Sequence, residues 1–148
     1  MKRRTARSTP LLLVSKDKEL QRRIRRYLPA LGLAANGLTI IRNEPEWQAV
    51  LHRGRPRLIV LDDHISPGNG PQLLSALRRR LAEVLTIYLA ERHSIELERA
   101  VRRLGVLYYT AKPPDWGTLG RVLASVLSTH ALPSCVVFPS TDKKTPRE

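Results

Sequence analysis

The sequence predicts an α/β domain: a five-stranded, doubly wound parallel sheet with helices on both faces. The first observation behind this is a set of five short apolar runs, at 11–14, 38–41, 58–61, 85–89 and 106–109. Each is continuous rather than alternating, which is how strands buried on both faces read. The second is the helical spacing between and after them, which gives a β-α order repeated five times and so a parallel sheet. The third is length: 148 residues suit one domain and leave no room for two.

The helical stripes succeed one another along the chain. Leu20, Ile24, Tyr27 and Leu28 recur at i, i+4, i+7 and i+8. A shorter helix is expected around Trp47, Val50 and Leu51. Leu73, Leu74, Leu77 and Leu81 form the next stripe, and Leu97, Ala100, Val101 and Leu104 another. Gly105 stands where a helix C-cap is wanted. After Pro114, Leu119, Val122, Leu123 and Val126 close the pattern. The expected organisation is a basic tail over 1–10, a domain over 11–130 and a Pro-punctuated tail over 131–148. The patch at Val136, Val137 and Phe138 is read as part of a loosely packed end.

Composition narrows the function. Twenty-six Lys+Arg against 13 Asp+Glu give a net charge of +13, with paired arginines on the expected helices. Such a surface attracts polyanions, and nucleic acid is a possible partner through it. Aromatic content of 5% offers little for stacking unpaired bases. Cys135 is the only cysteine, so no internal disulfide forms. The one apolar run near the N-terminus, 11–14, is closed by Lys16 and is too short for a signal peptide or a membrane span. A cytoplasmic protein with no membrane partner is the expectation.

In doubly wound sheets ligands bind beyond the carboxyl ends of the strands. The residues there are Ser15, Lys16 and Asp17, then Asp62, Asp63 and His64, then Ala90, and finally Lys112. Asp62 and His64 have no third metal ligand at a sensible spacing, and His52, His93 and His130 make no nucleophilic arrangement with Cys135. No hydrolase or metalloenzyme site is evident.

Taken with the five β-α units, these strand ends resemble the receiver domain of two-component response regulators, of the chemotaxis-regulator, flavodoxin-like type. The stretch from Gly105 through Tyr109 to Lys112-Pro113 carries the most specific likeness. The run from Pro56 to Asp62, with Pro67, Gly70 and Leu73-Leu74 after it, resembles the phosphoacceptor strand, its loop and the start of the third helix. The opening from Leu11 to Leu20 matches in all but its chemistry. The resemblance covers residue 11 to about 129 and implies strand order 2-1-3-4-5. Counting from Pro56, and back from Gly70 and Leu73, places Asp62 at the phosphoacceptor position; counting back from Pro67 selects Asp63. Two flanks agree on Asp62. Lys112 then takes the place of the phosphate-neutralising lysine, and Pro113 is a candidate for a cis peptide.

The resemblance also implies a pair of acids after the first strand that hold Mg²⁺, and here those positions are Ser15 and Lys16. Asp62, Lys112 and Lys16 then sum to a positive site, which repels a divalent cation and lacks its hard oxygen ligands. An ammonium about 4 Å from Asp62 would interact by roughly 4 kcal/mol at an effective dielectric near 20, before desolvation. Lys16 is therefore read as a built-in cation in the metal's place, the alternative being a side chain directed to solvent. Asp17 and Asp63 supply a carboxylate only if the loop slips by one residue. Ala90 stands where the resemblance implies a Thr or Ser hydroxyl, and Tyr109 where it implies the switching aromatic.

The expectation is a stand-alone receiver-like protein, not an enzyme, working by protein–protein interaction with impaired aspartyl phosphorylation. No cofactor is expected. Its partner would be a signalling protein, either a histidine kinase or a downstream regulator, met on the last two helices and the last strand; a homodimer is also possible. Two alternatives stay open: a conventional receiver that uses Mg²⁺ and is phosphorylated on Asp62 or Asp63, and a basic nucleic-acid-binding regulator.

Overall fold

The computed structural model describes residues 10–43, 46, 49 and 55–128. The helix expected around Trp47, Val50 and Leu51 lies outside the described residues, as do His52, His130, Cys135, nearly all of the basic N-terminal segment and the C-terminal tail. Five strands form one sheet in the order β2-β1-β3-β4-β5. They are β1 (Leu11–Val14), β2 (Leu38–Ile41), β3 (Leu58–Asp62), β4 (Leu85–Ala90) and β5 (Tyr108–Ala111). All four pairings are parallel, so the expected sheet and strand order are the observed ones.

The described helices are α1 (Lys18–Tyr27), α2 (Gly70–Arg80), α3 (Ile95–Arg103) and α4 (Trp116–Leu127). Side chains alternate across each strand, which divides the core in two. Leu11, Leu13, Leu58 and Val60 pack with Leu20, Ile24 and Tyr27 of α1 and Leu119, Leu123 and Leu127 of α4. Leu12, Val14, Ile59 and Leu61 pack on the other face with Leu74 and Leu77 of α2 and Val101 of α3. Each such side chain contributes about 1.5–3 kcal/mol on full burial, so the stripe on α1 supplies the stability that a helix of ten residues lacks in isolation. Truncating Ile24 to alanine would remove about 2–5 kcal/mol of that.

Local sequence sets the helix ends. Asp17, Ser94 and Asp115 are N-caps whose side chains accept from the backbone N–H groups of Leu20, Leu97 and Thr118. Gly105 comes after α3 at φ +86°, the left-handed conformation that its predicted capping role requires. The last strand departs from its prediction by two residues, 108–111 instead of 106–109. Val106 and Leu107 are apolar, yet they belong to the approach: Leu107 is 42% exposed although its N–H already donates to Thr86 O. The shift places Ala111 opposite Ala90 and Lys112 just beyond the ladder. Among the described residues, no helix is long and apolar enough to cross a membrane.

Candidate functional site

Asp62 ends β3 with no exposed surface, an uncommon place for a carboxylate unless it is well paired. Its Oδ2 accepts from the Ser15 hydroxyl at 2.7 Å and from Lys112 Nζ at 3.0 Å, and its Oδ1 from the backbone N–H of His64 at 3.1 Å. Ser15, also fully buried, is fixed from several sides. Its N–H donates to Ile41 O, its carbonyl accepts from the Gln21 amide, and its hydroxyl oxygen accepts from the Asp17 N–H.

Lys112 reaches Asp62 because β5 runs beside β4: its own N–H donates to Ala90 O at 2.9 Å, one step past the last ladder pair. The ammonium lies 3.0 Å from Asp17 Oδ2, 3.0 Å from Asp62 Oδ2 and 3.1 Å from Glu91 Oε1. An ammonium has three donors, and three carboxylates meet them. Burial alone would lower the Lys112 pKa, but the hydrogen bonds to Asp62 and Asp17 prevail and raise it above the ordinary lysine value. For Asp17 burial pulls upward, and the Lys112 bond with the cap N–H groups brings the net shift below the ordinary carboxylate value. The Lys112–Pro113 bond is cis, as the sequence indicated.

The placement of Lys16 differs from expectation. It is exposed, forms no ion pair among the described residues, and lines a groove of about 350 Å³ with Asn43, Ser66, Asn69 and Gln72. The amine on Asp62 belongs to Lys112 alone. The reason is local: α1 begins only at Lys18 and its N-cap Asp17 is still extended, so Ser15 faces the pocket, Lys16 faces out and Asp17 comes back to the site. Asp17 thereby brings a carboxylate to the site with no slip of the loop. The charge balance changes with it: Asp17, Asp62 and Glu91 around one ammonium leave two net negative charges, not a positive site.

Glu91 is the participant that sequence reasoning missed. Its signal was its position, directly after Ala90 at the end of β4. Asp63 also has a definite place. Its Oδ2 accepts from the Tyr88 hydroxyl at 2.8 Å and its Oδ1 from the Glu91 N–H at 2.8 Å, tying the turn after β3 to β4. Ala90 is fully buried, and alanine brings no hydroxyl to the pocket. Tyr109 is 6% exposed, stacks on Tyr88 with ring centroids 5.8 Å apart, and its hydroxyl meets His93 Nδ1 at 2.9 Å.

A magnesium ion needs several hard oxygens in near-octahedral array. Here the carboxylate oxygens converge on an ammonium, and a neutral serine hydroxyl stands where the resemblance implies a carboxylate. Among the described residues, no three His, Cys, Asp or Glu side chains are grouped to hold a metal ion. Asp17, Asp62 and Glu91 instead turn their oxygens to the Lys112 ammonium.

No known family profile matches the sequence, and no curated protein matches it. Solved structures do. A response regulator from Thermotoga maritima is 18% identical with a TM-score of 0.68, over 82% of this chain and 99% of that one. A receiver protein from Pseudomonas putida is 22% identical with a TM-score of 0.68, over 81% and 98%. A Burkholderia pseudomallei response regulator, solved with a phosphorylated aspartic acid and a calcium ion, is 19% identical with a TM-score of 0.63; this chain covers 66% of its length and matches over 80% of its own. The chain has the fold of response-regulator receiver domains.

Proposed function

We propose that this protein is a receiver-like module of two-component signalling that acts by contact with another signalling protein and not by aspartyl phosphorylation. The carrying observation is that the Asp62 carboxylate is already satisfied by Ser15, His64 and Lys112. A phosphoacceptor of the receiver type needs a bridging divalent cation to neutralise the incoming phosphoryl oxygens. Ser15 brings a neutral hydroxyl where the receiver likeness implies a carboxylate ligand, and Ala90 brings no hydroxyl to a phosphoryl group. Asp62 and Lys112 act instead as a structural pair that holds β1, β3 and β5 in register. The contact face is formed by α3, β5 and α4, and its partner is a kinase or a downstream regulator. The test is incubation of the whole protein with a small phosphodonor and Mg²⁺, then measurement of intact mass. The expected spectrum is unchanged; stoichiometric gain of a phosphoryl mass overturns the reading.

A second reading, a conventional receiver phosphorylated on Asp62, draws on the two net negative charges left by Asp17, Asp62 and Glu91 around Lys112. That sign attracts cations. The same mass measurement selects between the two.

A further inference from the structure

In a parallel β-α sheet the helices run back against the strands, so their last turns gather at the end where strands begin. In three of the four described helices those turns are basic: Arg25 and Arg26 in α1, three arginines from Arg78 in α2, and Arg102 and Arg103 in α3. Arg55 and Arg57 lead into β3 at the same end. Against these nine arginines, Glu83 is the only carboxylate in the described connections there, while Glu98 reaches along α3 to Arg102 at 2.8 Å. Asp17, Asp62, Asp63 and Glu91 all lie at the opposite end. These carboxylates and these arginines thus lie at opposite ends of the strand axis.

Helix dipoles account for part of this, since a cation in a last turn contributes about 0.3–1 kcal/mol. They do not account for Arg55, which lies in no helix, or for three arginines in succession on α2. Arg25, Arg26, Arg79 and Arg103 are exposed and form no ion pair among the described residues.

We propose that this end of the sheet docks the phosphate backbone of a nucleic-acid duplex. All of its described cations are arginine, whose planar fork matches phosphate oxygens; the described lysines, Lys16, Lys18 and Lys112, are all at the other end. Among the described residues, the aromatics at this end, Tyr27 and Tyr108, pack on the core and offer no platform for unstacked bases, which favours a duplex over a single strand. Five strands about 4.8 Å apart span roughly 19 Å. That is the length of about six phosphates along one strand of a duplex.

The test uses the full chain with labelled DNA and RNA duplexes of about 20 base pairs, and polyglutamate as the acidic-protein probe. With about five arginines engaged, affinity for a duplex falls about 500-fold between roughly 50 and 200 mM salt. Combined Arg25→Glu, Arg79→Glu and Arg103→Glu lowers binding at the lower salt by at least about 100-fold. Arg→Gln at the same three positions lowers it less, and guards against misfolding of the reversed variant. Lys16→Glu with Arg92→Glu, at the acidic end, leaves binding within about threefold, because neither residue touches the duplex. Binding of either duplex with this pattern supports the inference. It is overturned if neither duplex binds, if polyglutamate binds as tightly, or if both pairs of ends respond alike, which would mean that net charge alone is felt.

Discussion

Asp17 serves two elements with its two oxygens: Oδ1 accepts from the Glu19 and Leu20 N–H groups at the start of α1, while Oδ2 sits 3.0 Å from Lys112 Nζ at the end of β5. A helix cap on one side of the sheet's C-terminal rim is thus an ion pair with the strand at its far edge. Through Asp62 and Glu91 the same ammonium also grips β3 and the loop after β4.

Lys112→Met is expected to lower the unfolding free energy by about 3–5 kcal/mol, because it leaves the fully buried Asp62 without its cation. Urea denaturation measures this. Adding Asp62→Leu should recover much of the loss, since an apolar pair carries no desolvation penalty; a double variant as unstable as the single one would contradict that account.

The ion cluster also sets a pH window. Asp17 has a folded pKa below its ordinary 3.8, so its contribution is complete above that value and is lost as pH falls through the lower, folded one. Lys112 has a raised folded pKa, so its contribution is complete below the ordinary 10.5 and is lost only as pH rises beyond it. Stability measured against pH should therefore be insensitive to Asp17 and Lys112 between those limits. Asp17→Asn should flatten the acid limb, and an unchanged limb would remove Asp17 from it.

Restoring the pocket's chemistry gives a third expectation. Ser15→Asp together with Ala90→Thr should raise divalent-ion affinity at least about tenfold and permit phosphoryl uptake, because it supplies a hard oxygen ligand and a hydroxyl. Lys16→Asp alone should do far less, since that side chain points away. Calorimetric titration with Mg²⁺ compares the three proteins; equal affinities for both variants would mean that Lys16 reaches the pocket in solution.

Gly70 and Tyr88 make a fourth. A Cβ on Gly70 would lie 1.8 Å from the Tyr88 hydroxyl and 2.8 Å from the Asp63 Cβ. Gly70→Ala should cost about 1–3 kcal/mol by forcing the tyrosine off Asp63. Tyr88→Phe removes the closest atom, so the double variant should be more stable than the sum of the two single losses, by about 0.5 kcal/mol or more. Thermal or urea unfolding of all four proteins closes the cycle.

The sheet is legible because each strand carries a short apolar run, even the half-buried edge strand β2. Leu11–Val14 and Leu38–Ile41 begin and end where their apolar runs do. Tyr108–Ala111 does not, because apolar residues also line the approach to an edge strand, and only the pairing to Ile87 and Ala90 tells strand from approach. In the site, Asp62, Lys112 and Pro113 are legible from their positions at strand ends and from the receiver likeness. Lys16 departs from its reading because a match to a family position does not say which way a side chain points, and extended backbone through Asp17 turns it outward. Glu91 is marked only by its place after β4, because it contributes by reaching back from an exposed loop.

Arg57 is committed within the fold, for its guanidinium donates to the carbonyls of Val126 and Leu127 at the close of α4. An anion that captured it would first have to take it from those carbonyls. The final turn of α4 would then fray, so occupancy on one pole would be audible in amide exchange at the tail of a single helix.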